Sequence, residues 1–300
     1  MIEAVNISKS FDNIKAVDQV SIKIQEGNVF GFVGTNGAGK STLLRILSGI
    51  IRPDSGEARI DGMEIFENVN AKELFFYISD DQYFFNNATP KEMKKFYGSF
   101  YSKFDNERFD ILMEKFELAQ NRKISTFSKG MKKQLSVIIG ICANTKYLFC
   151  DETFDGLDPV IRQAVKSIIA KEIADRKMTT VIASHNLREL EDICDHVGLL
   201  HKGGILVSKD LYDMKLNIHK VQCVFQDEDD INKVFDKLDI IKQEKRGSLY
   251  TITSRGNRDE ISRVFDGLSP VFYEVLPLSL EEIFISETEV VGYDIKKLIS

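Results

Sequence analysis

The sequence predicts an α/β protein followed by a smaller α+β unit. Three observations carry that prediction. A glycine-rich stretch, Gly34-Thr35-Asn36-Gly37-Ala38-Gly39-Lys40-Ser41-Thr42, joins an apolar run to an amphipathic helix start. Apolar strands and helical patterns then alternate between residues 147 and 208. From residue 218 the order becomes strand–helix–strand–strand–helix–strand.

The chain opens on Met1-Ile2-Glu3-Ala4-Val5-Asn6-Ile7, which alternates like a strand over 2–7 and does not read as a signal peptide. Further strands are expected at 19–25, 28–33 and 57–60. Val29 to Val33 is a short apolar run suited to a buried strand, and Ser41 to Leu47 starts a helix expected over 41–50. Thr89-Pro90-Lys91-Glu92 is a strong helix start, with a capping residue, proline at the first position and glutamate at the third. Helical patterns follow at 90–103, 106–118 and 130–143, forming a mostly helical insert over about 85–145. Alternation resumes with strand 147–150, helix 159–174, strand 179–183, helix 186–193 and strand 196–200. His201-Lys202-Gly203-Gly204 then turns into strand 205–208. Asn186 with Glu189 reads as a second capping box.

The second unit is expected to start near 218, giving domains 1–217 and 218–300. Its strands fall at 220–226, 239–245, 248–254 and 270–276, with helices at 229–237 and 257–266, an order that suggests a ferredoxin-like βαββαβ unit. Ser279-Leu280-Glu281-Glu282 caps a final helix through Ile285, whose Leu280, Ile283 and Phe284 read as core. This unit carries no catalytic constellation and reads as a packing or dimer-stabilising appendage. No low-complexity linker separates the two domains, so they are expected to abut.

Composition narrows the class. The 300 residues are 43% hydrophobic and 29% charged, as in a soluble globular chain able to bury a core. A formal charge of −6 weighs against bulk nucleic-acid binding. Cys142, Cys150, Cys194 and Cys223 show no metal-ligand spacing and read as reduced core cysteines of a cytosolic protein. The longest apolar run, Val137 to Ala143, is far shorter than the roughly 20 residues needed to span a bilayer.

The chemistry begins at the glycine-rich stretch. Gly34 through Ser41 fits the pattern G-x-x-x-x-G-K-[ST]. Its glycines let successive N–H groups from Gly34 through Gly39 turn inward, so Gly34, Asn36, Gly37, Ala38 and Gly39 are candidate phosphate contacts. Lys40 supplies positive charge for the β- and γ-phosphates, the Ser41 hydroxyl can bind Mg²⁺, and Thr42 begins the helix whose N-terminus faces the anion. The dinucleotide fingerprint G-x-G-x-x-G is absent here. Tyr147-Leu148-Phe149-Cys150-Asp151-Glu152 reads as a buried parallel strand that delivers two carboxylates to its C-terminal edge. Asp151 suits Mg²⁺, directly or through water, and Glu152 suits a general base for the attacking water. His185 follows the apolar strand ending at Ser184, where it can contact the γ-phosphate. Phe11, in an expected loop after the first strand, can stack on adenine.

In order along the chain stand Gly34–Thr42, Phe127-Ser128-Lys129-Gly130-Met131, Leu148-Phe149-Cys150-Asp151-Glu152, Gly156-Leu157-Asp158 and Ser184-His185. This succession resembles the nucleotide-binding subunit of an ABC transporter over about residues 1–215. The resemblance implies a P-loop NTPase (RecA-like) core with an antiparallel β region and a helical insert. It also implies an ATPase using ATP and Mg²⁺. Gly156-Leu157-Asp158-Pro159 matches the loop through which two such subunits communicate. Two departures stand out. The family's Leu-Ser-Gly-Gly-Gln is Phe127-Ser128-Lys129-Gly130-Met131 here, a variant similar to bacterial antibiotic and multidrug exporter ATPases. The family's metal-contacting glutamine falls at Asp80, or at Gln82 after a shift of one or two residues. Thr153 stands where the family often has proline.

The resemblance further implies a head-to-tail homodimer, or a heterodimer with a related ATPase. Ser128, Gly130 and Met131 of one copy would close over the ATP held by the other. An integral membrane permease subunit would hold the chain at the inner face of the cell membrane. A cytoplasmic helix of that partner would dock near residues 80–105, which carry Tyr83, Phe84, Phe85, Phe96, Tyr97, Phe100 and Tyr101. The alternative function is a soluble ABC-type ATPase with a non-transport role. No nucleic acid is expected.

Overall fold

The computed structural model describes residues 1–226 and 228–290. The chain divides into a first unit, Met1 to Ile205, and a second that begins at Leu206.

The first unit opens on an antiparallel hairpin, β1 (Ile2–Phe11) and β2 (Ile14–Ile24). The β1 register shifts between Ala4 and Ile7, Ile7 and Lys9, and Lys9 and Ser10, and Asn6 has φ 50°. These bulges break the apolar alternation. The strand expected to stop at residue 7 therefore continues to Phe11, which ends a strand instead of lying in a loop. Every residue of β3 (Val29–Val33) is buried, and α1 (Lys40–Leu47) follows it. β4 (Ser55–Ile60) and β5 (Met63–Glu64) complete a four-stranded sheet of order β2-β1-β4-β5.

After α2 (Val69–Lys72) comes β6 (Phe75–Ile78), which the sequence reading did not assign. The helical insert holds α3 (Pro90–Phe100), α4 (Asn106–Lys115) and α5 (Lys129–Cys142), with a 3₁₀ turn at Ile124–Thr126. The capping box at α3 forms in both directions between Thr89 and Glu92. Then follow β7 (Tyr147–Asp151), α6 (Pro159–Arg176), β8 (Thr179–Ser184), α7 (Leu187–Glu191), β9 (His196–His201) and β10 (Gly204–Asp210). At α7, Asn186 caps through Arg188 N–H, but the Glu189 carboxylate turns to the Ser184 hydroxyl at 3.0 Å, so the expected box is not closed.

The central sheet has the order β10-β9-β3-β8-β7-β6, and β3 runs parallel to both β8 and β9. β7 is likewise parallel to β8 and β6. Every residue of β3, β7 and β8 is buried, as in a parallel sheet covered on both faces. Phe30, Phe32, Leu43, Leu44, Tyr147, Phe149 and Val181 share one core. The C-terminal ends of β3, β7 and β8 therefore lie side by side, the edge at which α/β sheets bind ligands.

The second unit contains α8 (Leu211–Asn217), β11 (Ile218–Val224), α9 (Glu228–Phe235), β12 (Asp239–Arg246), β13 (Leu249–Arg255), α10 (Arg258–Asp266), β14 (Phe272–Pro277) and α11 (Leu280–Val290). Its sheet is antiparallel with order β12-β13-β11-β14, and β11 to β14 run βαββαβ, a ferredoxin-like arrangement. Val221, Cys223, Ile252, Ile261 and Phe265 form its core, and the Phe265 and Tyr273 rings stack at 5.2 Å. The division falls ahead of the boundary expected at 217/218, because α8 buries Leu211 and Met214 and packs with β11 and α11. Ser279 and Glu282 close a capping box ahead of the buried Leu280, Ile283 and Phe284. All four cysteines are free and buried, and burial pushes the Cys150 thiol up to about 12. Among the described residues no helix is long and apolar enough to cross a membrane.

Candidate active site

Leaving β3, the backbone curls through residues 34–39 before α1 begins. Ala38 N–H donates to the Thr35 carbonyl at 3.1 Å, and Gly203 N–H donates to the Ala38 carbonyl at 3.1 Å. The loop is thus pinned to the turn between β9 and β10, while Thr35, Asn36 and Gly37 form an exposed crest. Two glycines leave no room for a side chain. A Cβ on Gly34 would meet the Leu200 carbonyl oxygen at 2.4 Å, and one on Gly39 would meet the Ala16 carbonyl oxygen at 2.2 Å. No side chain caps α1, so its first N–H groups stay available at the loop, as an anion site requires.

Lys40 is only 5% exposed. Its Nζ donates to the Gly34 carbonyl at 2.8 Å and the Thr35 carbonyl at 3.3 Å, and lies 3.4 Å from Glu152 Oε1. Asp151, fully buried at the end of β7, accepts from Ser41 Oγ at 2.8 Å and from Tyr77 OH at 2.9 Å. Burial pushes the Asp151 carboxyl above the ordinary range, against the Ser41 and Tyr77 hydrogen bonds that hold it down. The nearby Tyr77 phenol holds the Arg45 guanidinium above its ordinary value.

The next residue points the other way. Glu152 has φ 46° and its N–H donates to the Ala183 carbonyl of β8 at 2.9 Å. Its Oε2 lies 2.9 Å from His185 Nδ1 and accepts from His185 N–H at 3.3 Å. The left-handed backbone at Glu152 splits the two neighbouring carboxylates, sending one to Ser41 and the other between Lys40 and His185. Lys133 of α5, with no exposed surface, donates to the Glu152 carbonyl at 2.6 Å and reaches Asp80 Oδ1 at 3.2 Å.

The other expected site residues are placed differently. Gln82 folds back, its Nε2 donating to the Ser79 and Asp80 carbonyls at 2.8 Å each. Among the described residues neither Asp80 nor Gln82 has a hydrogen bond to Ser41 or Asp151. Phe11 is 45% exposed, with the Lys9 ammonium 5.7 Å from its ring. Ser128 caps α5 through Met131 N–H at 3.2 Å, and a Cβ on Gly130 would lie 3.4 Å from the Gly156 carbonyl oxygen. The start of α5 therefore adjoins the Gly156–Asp158 loop, where Asp158 caps α6. The aromatic group divides. Tyr97 and Tyr101 pack on Phe76, while Tyr83, Phe85 and Phe100 are exposed, and Tyr83 lines a groove of about 510 Å³ with Arg45, Tyr77, Gln82 and Phe84. Sequence reasoning missed Tyr77, Arg45 and Lys133. The available signals were a phenol inside an apolar run and a lysine inside the apolar stripe of a helix.

A pinned phosphate loop, an uncapped helix start and a buried carboxylate at the end of β7, one strand removed from β3, define a P-loop nucleotide-binding cassette. The ABC transporter family model matches residues 17–155. The ABC transporter ATP-binding protein YtrB of Bacillus subtilis (strain 168) is 32% identical over 287 residues, spanning 96% of this chain and 98% of its own length. The bacitracin transport ATP-binding protein BcrA of Bacillus licheniformis is 32% identical over 69% of this chain and 68% of its own. In three dimensions, a dimeric bacterial ABC transporter cassette, MJ0796, matches with a TM-score of 0.64 at 20% identity, covering 70% of this chain and 99% of that one. The chain belongs to the ABC transporter ATP-binding protein family, and it is an ATP-binding ATPase subunit of that family.

Proposed function

We propose that the chain hydrolyses ATP to power export through a separate integral membrane permease, by ATP-driven closure of a dimer. The observation that carries this reading is the split of Asp151 and Glu152 between Ser41 on one side and Lys40 with His185 on the other. The N–H groups of Gly34 through Gly39, the start of α1 at Ser41 and Thr42, and Lys40 would hold the phosphates. Phe11 would stack on adenine. Water attacks the γ-phosphorus, the bond to the ADP oxygen breaks, and Glu152 takes the proton from the water. His185, whose Nδ1 lies 2.9 Å from Glu152 Oε2, would orient that carboxylate and contact the γ-phosphate. Ser128, Gly130 and Met131 of a second copy would complete the site, with the positive end of that helix dipole favouring the anion.

The hard oxygens of Ser41 and Asp151 fit Mg²⁺. Among the described residues no three His, Cys, Asp or Glu side chains converge as a metal cage, which suits an ion that takes most of its ligands from phosphates and water. When bound, Mg²⁺ would neutralise charge on the β- and γ-phosphates, and burial of Asp151 makes its charge costly without such a cation. Asp80 and Gln82 remain candidates for its outer contacts.

Export is supported by the Ser128-Lys129-Gly130-Met131 variant and by relatives named for bacitracin transport and linearmycin resistance. The permease would place the chain at the inner face of the cell membrane. The test is Glu152→Gln in the full chain. It is expected to bind ATP, to hydrolyse it at least about a hundredfold more slowly, and to accumulate as a dimer with ATP in size-exclusion chromatography. Near-normal turnover would remove Glu152 as the base.

A further inference from the structure

We propose that Lys133 is a positioning residue for Glu152, holding its backbone from behind and tying it to the loop that carries Asp80. This rests on the reading of Glu152 as the base.

Lys133 sits in the buried stripe of α5, beside Leu135, Val137 and Ile138, with none of its side chain exposed. An ammonium there has lost its water, and among the described residues its one carboxylate partner, Asp80, is 46% exposed at 3.2 Å. Stability does not account for such a group, because an apolar side chain of similar length in a buried ion-pair site is often tolerated or stabilising. What the charge does at this point is hydrogen-bond the Glu152 carbonyl at 2.6 Å.

Glu152 needs such a hold. Its φ of 46° lies in the left-handed region, which residues with a Cβ seldom adopt. Its N–H is fixed by the Ala183 carbonyl of β8 and its C=O by Lys133 of α5. Both backbone groups are therefore clamped, and the side chain is left to lie between Lys40 and His185. Without Lys133 the carbonyl is freed, the residue can relax towards ordinary backbone, and the carboxylate shifts relative to Lys40. Because α5 begins at Ser128 and Lys133 also grips Asp80, the clamp joins three segments: the start of α5, the loop after β6, and the turn after β7.

The experiment compares Lys133→Met and Lys133→Gln with the unaltered full chain and with Glu152→Gln. Lys133→Met keeps length without charge. Its melting temperature and its affinity for a fluorescent ATP analogue are expected to stay near those of the parent, while kcat falls about 10- to 100-fold, as for a small misplacement of a reacting group. Lys133→Gln, which retains an N–H donor, is expected to recover part of that loss. A Lys133→Met enzyme with parental kcat, beside an inactive Glu152→Gln, overturns the role of Lys133 alone. Loss of folding and nucleotide binding in both Lys133 variants overturns it in favour of a purely structural lysine. Normal turnover in Glu152→Gln removes the base reading and this inference with it.

Discussion

Replacing Gly39 by alanine tests the construction of the phosphate loop, with Gly37→Ala as its matched control. Both glycines have positive φ, +103° and +80°. A Cβ in left-handed backbone costs roughly 1–2 kcal/mol. The unfolded chain gives back about 0.4–1 kcal/mol, because alanine has fewer conformations to lose. For Gly37, whose Cβ would meet nothing within 4 Å, the balance is a loss of about 1 kcal/mol. Gly39 adds a collision, since its Cβ would stand 2.2 Å from the Ala16 carbonyl oxygen. That oxygen is backbone, on a strand whose Val17 pairs with Lys9 of β1, so it cannot swing aside like a side-chain tip. Overpacking of this kind costs about 1–3 kcal/mol. The expected total for Gly39→Ala is about 2–4 kcal/mol.

Urea denaturation of the full chain, followed by far-UV circular dichroism, reads the difference between the two variants in the transition of the first unit. ATP affinity measured alongside should fall further for Gly39→Ala, because any relief of the clash moves the peptide that starts α1 and carries Lys40. Equal midpoints for the two variants would refute the clash and leave only backbone strain.

A buried carboxylate and an exposed aromatic surface yield two further predictions. Glu172 of α6 is 2% exposed and accepts from Arg108 of α4 and from Arg176 at 2.6 Å. Burial pushes its carboxyl up, but the two arginines outweigh that and hold it below the ordinary range. Its contribution is therefore present above the unfolded value of about 4.3 and lost as pH falls through the lower folded value. Glu172→Gln is expected to cost about 1–3 kcal/mol near neutrality, with the gap to the parent narrowing as pH falls below the unfolded value and through the lower folded one in the same denaturation assay. Tyr83→Glu with Phe85→Glu is expected to reduce copurification of a membrane partner after mild detergent extraction while leaving ATP binding unchanged. Unaltered assembly would count against the surface beside the Tyr83 groove.

Much of the fold was legible because most elements carry their own local signal. Val29–Val33 and Tyr147–Asp151 are unbroken apolar runs, and Thr89 with Glu92 announces α3 by a box that forms. Where local signals compete with a tertiary partner, the reading fails. The bulges in β1 allow Phe11 to remain in the hairpin although the alternation is lost after Ile7. Glu189 has the spacing to cap α7, yet Ser184 is buried and offers its hydroxyl, so the carboxylate satisfies that group instead. β6 is only four residues long and borders one strand of the sheet, a run too short to separate from a buried turn by period alone.

The site follows the same division. The phosphate loop, Asp151, Glu152 and His185 could be proposed from the sequence because each stands at or just after the end of an apolar strand with a chemically telling residue. Tyr77 and Lys133 became visible only with sheet order and helix placement. Tyr77 reaches Asp151 because β6 lies next to β7, and Lys133 reaches Glu152 because α5 packs where β7 ends. No spacing in the sequence encodes either adjacency. The division also explains why Asp80 and Gln82 could not be ranked by pattern. Asp80 is drawn to a lysine 53 positions away, and Gln82 to the carbonyls of its own turn. A loop residue's place is decided by such partners, so the 79–82 segment should respond to changes at Lys133 more than to changes in its own exposed side chains.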